Sequence, residues 1–235
     1  HFSIAKKIIK SKNHILIEKP MTLNTRDSKE LCQLAHDNKV NLMVGHLLLF
    51  HPAFNKMKSM LDEGFIGSLQ YMYSNRLNFG TIRSDENVFW SFAPHDISLF
   101  QYYSSSRPEE IVSIGADILQ PGIHDSTITT LKYKNGVMGH IFVSWLHPFK
   151  EHRFVLIGSK GMLYFEDSKT DKPLLYFRKS ISFDGNVPIA EEKDSIEVNY
   201  DFDYPLTAEL KYFINCINGS ILKIANGFSG HDVID

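Results

Sequence analysis

Two short apolar runs, His14-Ile-Leu-Ile-Glu18 and Val40-Asn-Leu-Met-Val44, constrain the fold of this chain more than any other feature. Neither run alternates cleanly between apolar and polar residues. A strand with that pattern is buried on both faces, and such strands belong to parallel sheets covered by helices on either side. Ahead of the first run, Ile4, Ile8 and Ile9 recur at helical spacing. Between the runs, Asn24 is placed to cap a helix, with Asp27 and Glu30 near its positive end and Leu31, Leu34 and Ala35 facing inward. Lys19-Pro20 ends the first run and Gly45-His46 the second. Helix, strand, helix, strand is the grammar of a βαβ unit, so residues 1–50 read as the end of a doubly wound sheet.

The grammar changes after His51-Pro52. A helix is expected over about 52–62, with Phe54, Met57, Met60 and Leu61 inward and Gly64 as its stop, followed by a strand around 68–78. Residues 80–94 read as a polar and aromatic loop, and a helix is expected to begin near Pro94. Strand-like runs follow at 110–118, 126–134, 137–145, 153–158 and 161–165, with Lys134-Asn135-Gly136 as a tight turn. Residues 166–195 read as polar and irregular, and a last helix starts near Tyr204, carrying Leu206, Leu210, Phe213 and Ile214. Residues 51–235 are therefore expected to form one α+β domain: an open-faced, mostly antiparallel sheet with helices on one face.

Composition narrows the partners. The net charge is −2 with acids and bases mixed along the chain, so a nucleic-acid partner or an anionic membrane surface is disfavoured. No run approaches the length of a transmembrane span. Two cysteines, Cys32 and Cys216, make no disulfide framework and suit a reducing cytoplasm. His46 and His51 flank the change of grammar, and His95, His124 and His231 each precede an aspartate. None has metal-ligand spacing, so no metal is expected.

Three clusters carry candidate chemistry. Glu18-Lys19-Pro20 stands at the carboxyl end of a parallel strand, the edge where open α/β sheets bind ligands. A lysine there can donate to a hydroxyl and favour its alkoxide, or simply end a strand in solvated charge. Ala93-Pro94-His95-Asp96 is expected at a helix start, where the dipole disfavours a cationic imidazole and leaves a competent general base; the bland alternative is capping. Arg76, Asn78 and Arg83 surround a strand end, with Arg76 and Asn78 expected on one face. Guanidinium forks suit carboxylate or phosphate oxygens, although an ordinary polar sheet face has the same pattern. Trp90 is a candidate wall for a sugar or nicotinamide pocket, or a core residue.

The order of these strings is more specific than any one of them. "HILIEKPMTLN", "LMVGHLLLFHPAF", "YSNRLNFGTIR" and "ENVFWSFAPHDISL" follow one another as in the Gfo/Idh/MocA oxidoreductases, which the chain resembles from His1 to about Tyr212. The resemblance implies a Rossmann domain for NAD or NADP, with NAD favoured, followed by a sheet domain that carries the sugar site and a homo-oligomer interface, dimeric or tetrameric. It implies that Lys19 polarises a sugar hydroxyl and that His95 exchanges its proton. Glu18, Lys19, His46 and Trp90 would border the cofactor, and Lys19, Arg76, Asn78, Arg83, His95 and Asp96 the substrate. Within the family the strings are most similar to enzymes that oxidise C3 of UDP-N-acetylglucosamine or its uronic acid in surface polysaccharide synthesis. A free polyol such as myo-inositol, or a non-catalytic binding role, are the alternatives. No GxGxxG occurs in the chain. That glycine loop receives the cofactor pyrophosphate, so the sequence reads as a fragment of a longer product, cut at both ends and expected to be inactive alone.

Overall fold

A computed structural model describes every residue, 1–235. The chain begins with α1 (Phe2–Lys10), β1 (Ile15–Glu18), α2 (Thr25–Asn38), β2 (Leu42–Gly45) and a 3-10 turn at Leu47–Phe50. Next come α3 (Pro52–Asp62), β3 (Leu69–Phe79), α4 (Val88–Ser104), β4 (Pro108–Ala116), β5 (Ser126–Tyr133) and β6 (Met138–Ser144). The remainder is β7 (Leu146–Gly158), β8 (Met162–Glu166), β9 (Leu174–Phe177), β10 (Lys179–Asp184), β11 (Val187–Glu192), β12 (Ile196–Glu197), α5 (Pro205–Ile217) and α6 (Gly227–Ile234).

These elements divide into two compact bodies. The first comprises His1–Pro52, Ile97–Leu99 and Phe202–Asp235. Its strands β1 and β2 are parallel, with Glu18 opposite Gly45 at their carboxyl ends. Asn24 caps α2 by accepting from the Asp27 amide at 2.8 Å, and the Leu31, Cys32 and Ala35 face is buried with Ala5 and Ile9 of α1. The outer edge of β2 is taken by the C-terminal segment, where the Val44 amide donates to Ala225 at 2.8 Å. Helix α6 lies so close to β2 that a Cβ on Gly230 would sit 2.4 Å from a Val44 methyl, so only glycine fits there. Asn41 donates to the Cys216 carbonyl at 2.9 Å, and Tyr212 stacks obliquely on Phe50 with ring centres 5.4 Å apart.

Residues 202–235 therefore return to the Rossmann part. The expectation that 51–235 is one domain is corrected: the tail pairs with and packs on β2. The face of α5 that turns inward is also different. It buries Glu209 and Cys216 while Leu206, Leu210 and Ile214 are exposed.

The second body, Ala53–Asp96 with Phe100–Asp201, is built on an eight-stranded sheet in the order β12-β9-β8-β7-β3-β6-β5-β4. Every neighbouring pair is antiparallel except β3 with β6. One face is covered by α3 and α4. Phe54 packs edge-on to Phe154 and Phe165 at 5.3 and 5.2 Å, and Phe100 to Phe154 at 5.6 Å. Beneath them lie Met72, Ile141, Leu156 and Leu163, all buried. The other face stays open and exposes Ile128 and Met138, and the edge strand β4 exposes Ile111, Val112 and Ile114.

Two expectations here are corrected. Residues 166–195 are not irregular: β9 extends the sheet, and β10 and β11 pair as a hairpin about Gly185, whose φ is +59°. The Asp184-Gly185 pair is a hairpin signal that the polar composition obscured. Helix α4 starts at Val88, not near Pro94, because Asn87 caps it by accepting from the Trp90 amide at 3.0 Å.

Candidate functional site

In the first body the candidate residues gather at the carboxyl ends of β1 and β2. Strand pairing brings Glu18 beside Gly45, and the approach is tight: a Cβ on Gly45 would lie 3.1 Å from the Glu18 carboxylate. Glu18 is exposed and Lys19 half-buried, with a cis peptide bond between Lys19 and Pro20. His46 follows Gly45 and is only 2% exposed, and neither of its ring nitrogens has a hydrogen-bond partner. Burial, and then the charge of Lys19, push its pKa down to about 4, so the ring is neutral at physiological pH.

Glu209 was not foreseen from sequence. It is 2% exposed on α5, and one carboxylate oxygen has no partner. Burial, and then the neighbouring charge of Glu18, push its pKa up to about 7. Its signal was an acid on what becomes the inner face of a helix, visible only once that face is known.

An exposed carboxylate, a lysine, a neutral buried imidazole and a glycine close against the carboxylate can together bind a hydroxyl-rich ligand. Unpartnered buried nitrogens are costly unless a ligand or water satisfies them.

In the second body, His95 is half-buried on α4, as the eighth residue from the helix start. The dipole at the N-terminus of α4 therefore does not neutralise it, contrary to expectation, because that effect fades after the first turn. Asp96 is fully buried. It accepts from Arg76 Nε and Nη2, both at 2.9 Å, and from the Ser74 hydroxyl at 2.5 Å. Asp96 therefore does not face a ligand, contrary to expectation. Arg76 is 13% exposed through its side chain and spends its two-pronged edge on Asp96. Burial works against its charge, but Asp96 more than compensates and raises its pKa.

The remaining candidates are less engaged. A register shift between Leu77 and Phe79 interrupts the alternation on which a shared face for Arg76 and Asn78 was expected. Asn78 is half-buried, with its amide close against Gly80. Arg83 is exposed and pairs with Glu86 at 3.0 Å. Trp90 is half-buried in the first turn of α4. His152, opposite Arg76 in the β3–β7 register, was also missed. Burial, then the charges of Arg76 and Lys150, push its pKa down to about 4. No cluster of three or more His, Cys, Asp or Glu is placed to hold a metal ion. No helix is long and apolar enough to cross a membrane.

Residues 1–46 match the oxidoreductase family's NAD-binding Rossmann fold, and residues 54–164 match the GFO/IDH/MocA C-terminal domain. The two matches follow in family order and fall on the two bodies just described. The chain belongs to the Gfo/Idh/MocA oxidoreductase family. Among family members, an uncharacterized oxidoreductase YrbE of Bacillus subtilis is 26% identical over 180 residues, which are 72% of this chain and 53% of that protein. The UDP-N-acetylglucosamine 3-dehydrogenase GnnA of Acidithiobacillus ferrooxidans superposes with a TM-score of 0.85 at 22% identity, covering 100% of this chain and 72% of that one. An inositol dehydrogenase homolog of Azotobacter vinelandii, solved with NADH and myo-inositol, superposes with a TM-score of 0.76 at 14% identity, covering 100% of this chain and 70% of that one. The chain spans about half the length of the curated relatives it matches.

Proposed function

We propose that the protein is a nicotinamide-dependent dehydrogenase of a sugar or cyclic polyol, with Lys19 and His95 acting on one substrate hydroxyl. The carrying observation is the strand-end cluster of Glu18, Lys19, Gly45 and His46, whose buried imidazole has two unpartnered nitrogens. Lys19 donates to the hydroxyl oxygen and stabilises its alkoxide character. His95 takes the hydroxyl proton. The carbon–hydrogen bond breaks with its electron pair, leaving a ketone. Bound NAD or NADP would supply the hydride acceptor, and Glu18 and Lys19 would border the nicotinamide ribose. The pyrophosphate is held by a glycine loop outside these 235 residues, so this chain by itself is expected to be inactive.

For the substrate, the motif strings favour C3 of a UDP-N-acetylamino sugar or its uronic acid, and with it a place in surface polysaccharide synthesis. A specific observation favours the second reading, a free polyol such as myo-inositol. The two arginines that suit a polyanion are already paired, Arg76 with Asp96 and Arg83 with Glu86. Self-association is proposed through the open sheet face and the β4 edge, where exposed apolar side chains need cover. Two buried free cysteines support a reducing compartment.

The test uses a full-length protein in which this chain follows a glycine-loop segment. Nicotinamide reduction is followed with UDP-N-acetylglucosamine, its uronic acid and myo-inositol in parallel. Turnover on the UDP-sugars alone supports the first reading, and turnover on the polyol alone the second. No turnover on any of them, with cofactor bound, would leave a non-catalytic relative.

A further inference from the structure

We propose that Arg76 is a positioning residue for His95, acting through Asp96, and not a ligand-contacting group. This rests on the reading of His95 as the proton acceptor. Four observations carry it. First, Pro94 lies inside α4 immediately before His95 and has no N–H to give to the carbonyl four residues earlier, so the helix ladder is weakest at the turn that must aim the imidazole. Second, the residue on the other side of His95 is anchored to β3 by three side-chain bonds: two from Arg76 at 2.9 Å and one from Ser74 at 2.5 Å. Third, Asp96 has no exposed surface, so the anchor is desolvated and geometrically strict. Fourth, the groups that face the guanidinium are His152 on β7, held neutral by burial and by the charge of Arg76 itself, and Asp167, whose charge adds to that of Asp96 in favouring the ionised arginine.

A fully buried ion pair is rarely retained for stability, because desolvation offsets most of its attraction. What a two-pronged pair supplies is direction. Arg76 and Ser74 sit on one rigid strand and clamp the same carboxylate, which fixes the rotation of α4 about its axis at residue 96. His95 inherits that rotation. Small errors in the placing of a proton acceptor cost more in rate than in binding, so the signature of this arrangement is kinetic.

The experiment compares Arg76→Lys, which keeps the charge but loses the fork, with Ser74→Ala, which removes one of the three bonds and leaves the ion pair. Both are made in the full-length protein and assayed on whichever sugar the wild type oxidises. Arg76→Lys is expected to lower kcat by about 10- to 100-fold, with KM for the sugar unchanged within about two-fold. Ser74→Ala is expected to lower kcat a few-fold in the same manner, and it carries the test alone if Arg76→Lys does not fold. A second readout is independent of turnover. The NMR signal of the His95 ring, assigned by its loss in His95→Asn, should shift in both variants, more in Arg76→Lys. A raised KM with kcat retained would make Arg76 a ligand contact and overturn the proposal. A lowered melting temperature with kcat and the His95 signal both unmoved would reduce it to a stability role. If the wild type oxidises no sugar at all, the functional reading fails, while the NMR comparison still decides whether Arg76 positions His95.

Discussion

The two bodies treat their buried carboxylates in opposite ways. In the sheet body Asp96, Asp125 and Glu166 are saturated. Glu166 accepts from Arg153, Tyr164 and Ser168 at 3.1, 2.8 and 2.5 Å, and Asn75 donates to Glu151 at 2.6 Å. Asp96 is saturated in the same way by Arg76 and Ser74. In the Rossmann body the buried carboxylate is left open, as is the imidazole: Glu209 has an unpartnered oxygen and His46 two unpartnered nitrogens, both beneath the strand end that carries Glu18 and Lys19. Low dielectric makes a complete polar network rigid and an incomplete one expensive. The difference teaches which body holds its own side chains in place: the sheet does so through closed networks, and the proposed ligand site lies with the unsatisfied groups of the Rossmann body.

The comparison is most exposed at the chemistry itself. Lys19→Ala and His95→Asn, one from each body, should each lower turnover of the full-length enzyme by roughly 10²–10⁴-fold. Unchanged steady-state rates in both variants would remove the proposed mechanism.

A smaller effect separates closed from open networks by stability. Removing the carboxylate from the closed one with Glu166→Ala takes the acceptor from Tyr164 and Ser168 and leaves Arg153 with Glu151, 3.5 Å away. It should cost about 3 kcal/mol in urea unfolding at pH 7. Burial opposes the ionisation of Glu166, but bonds from Ser168, Tyr164 and Arg153 hold its pKa below the usual carboxylate value. A cost near zero would show that the network is ornamental and the contrast false.

The smallest effect has the opposite sign. Glu209 titrates at about 7 in the folded protein, against 4.5 for an ordinary carboxyl. Between these values the folded state holds a proton that the unfolded state has released, so stability falls as pH rises from about 4.5 to 7. Glu209→Gln removes that penalty. It should therefore stabilise the protein at pH 8 by on the order of 2 kcal/mol and change little at pH 5. Thermal melts at the two pH values check this, and an equal shift at both would mean that Glu209 is not an open group.

Much of this was legible in the chain order. The runs at 14–18 and 40–44, the Asn24 cap and strands β3 to β8 lie close to where apolar pattern and turn residues place them, whereas β9 to β12 were hidden by their polar composition. Glu18, Lys19, His46 and His95 stand out in the sequence, and the fold gathers the first three at the carboxyl ends of β1 and β2. The roles of Arg76 and Asp96 were not legible. They are twenty residues apart, and nothing in their spacing says that one neutralises the other. Helix α4 was misplaced because Pro94 resembles a first-turn proline, and the Asn87 cap that actually starts the helix is a weaker signal.

Local rules thus determined most helices and strands before residue 166, that a parallel unit precedes an antiparallel one, and which residue types stand at the strand ends. Only the tertiary structure decided that residues 202–235 return to β2, that α5 turns Glu209 inward and leaves Leu206 and Leu210 exposed, and that Asp96 is spent on Arg76. Periodicity and capping are set by neighbours a few residues apart and can be read along the chain. Burial and charge pairing depend on which distant surfaces meet, and that is settled by packing the whole molecule at once.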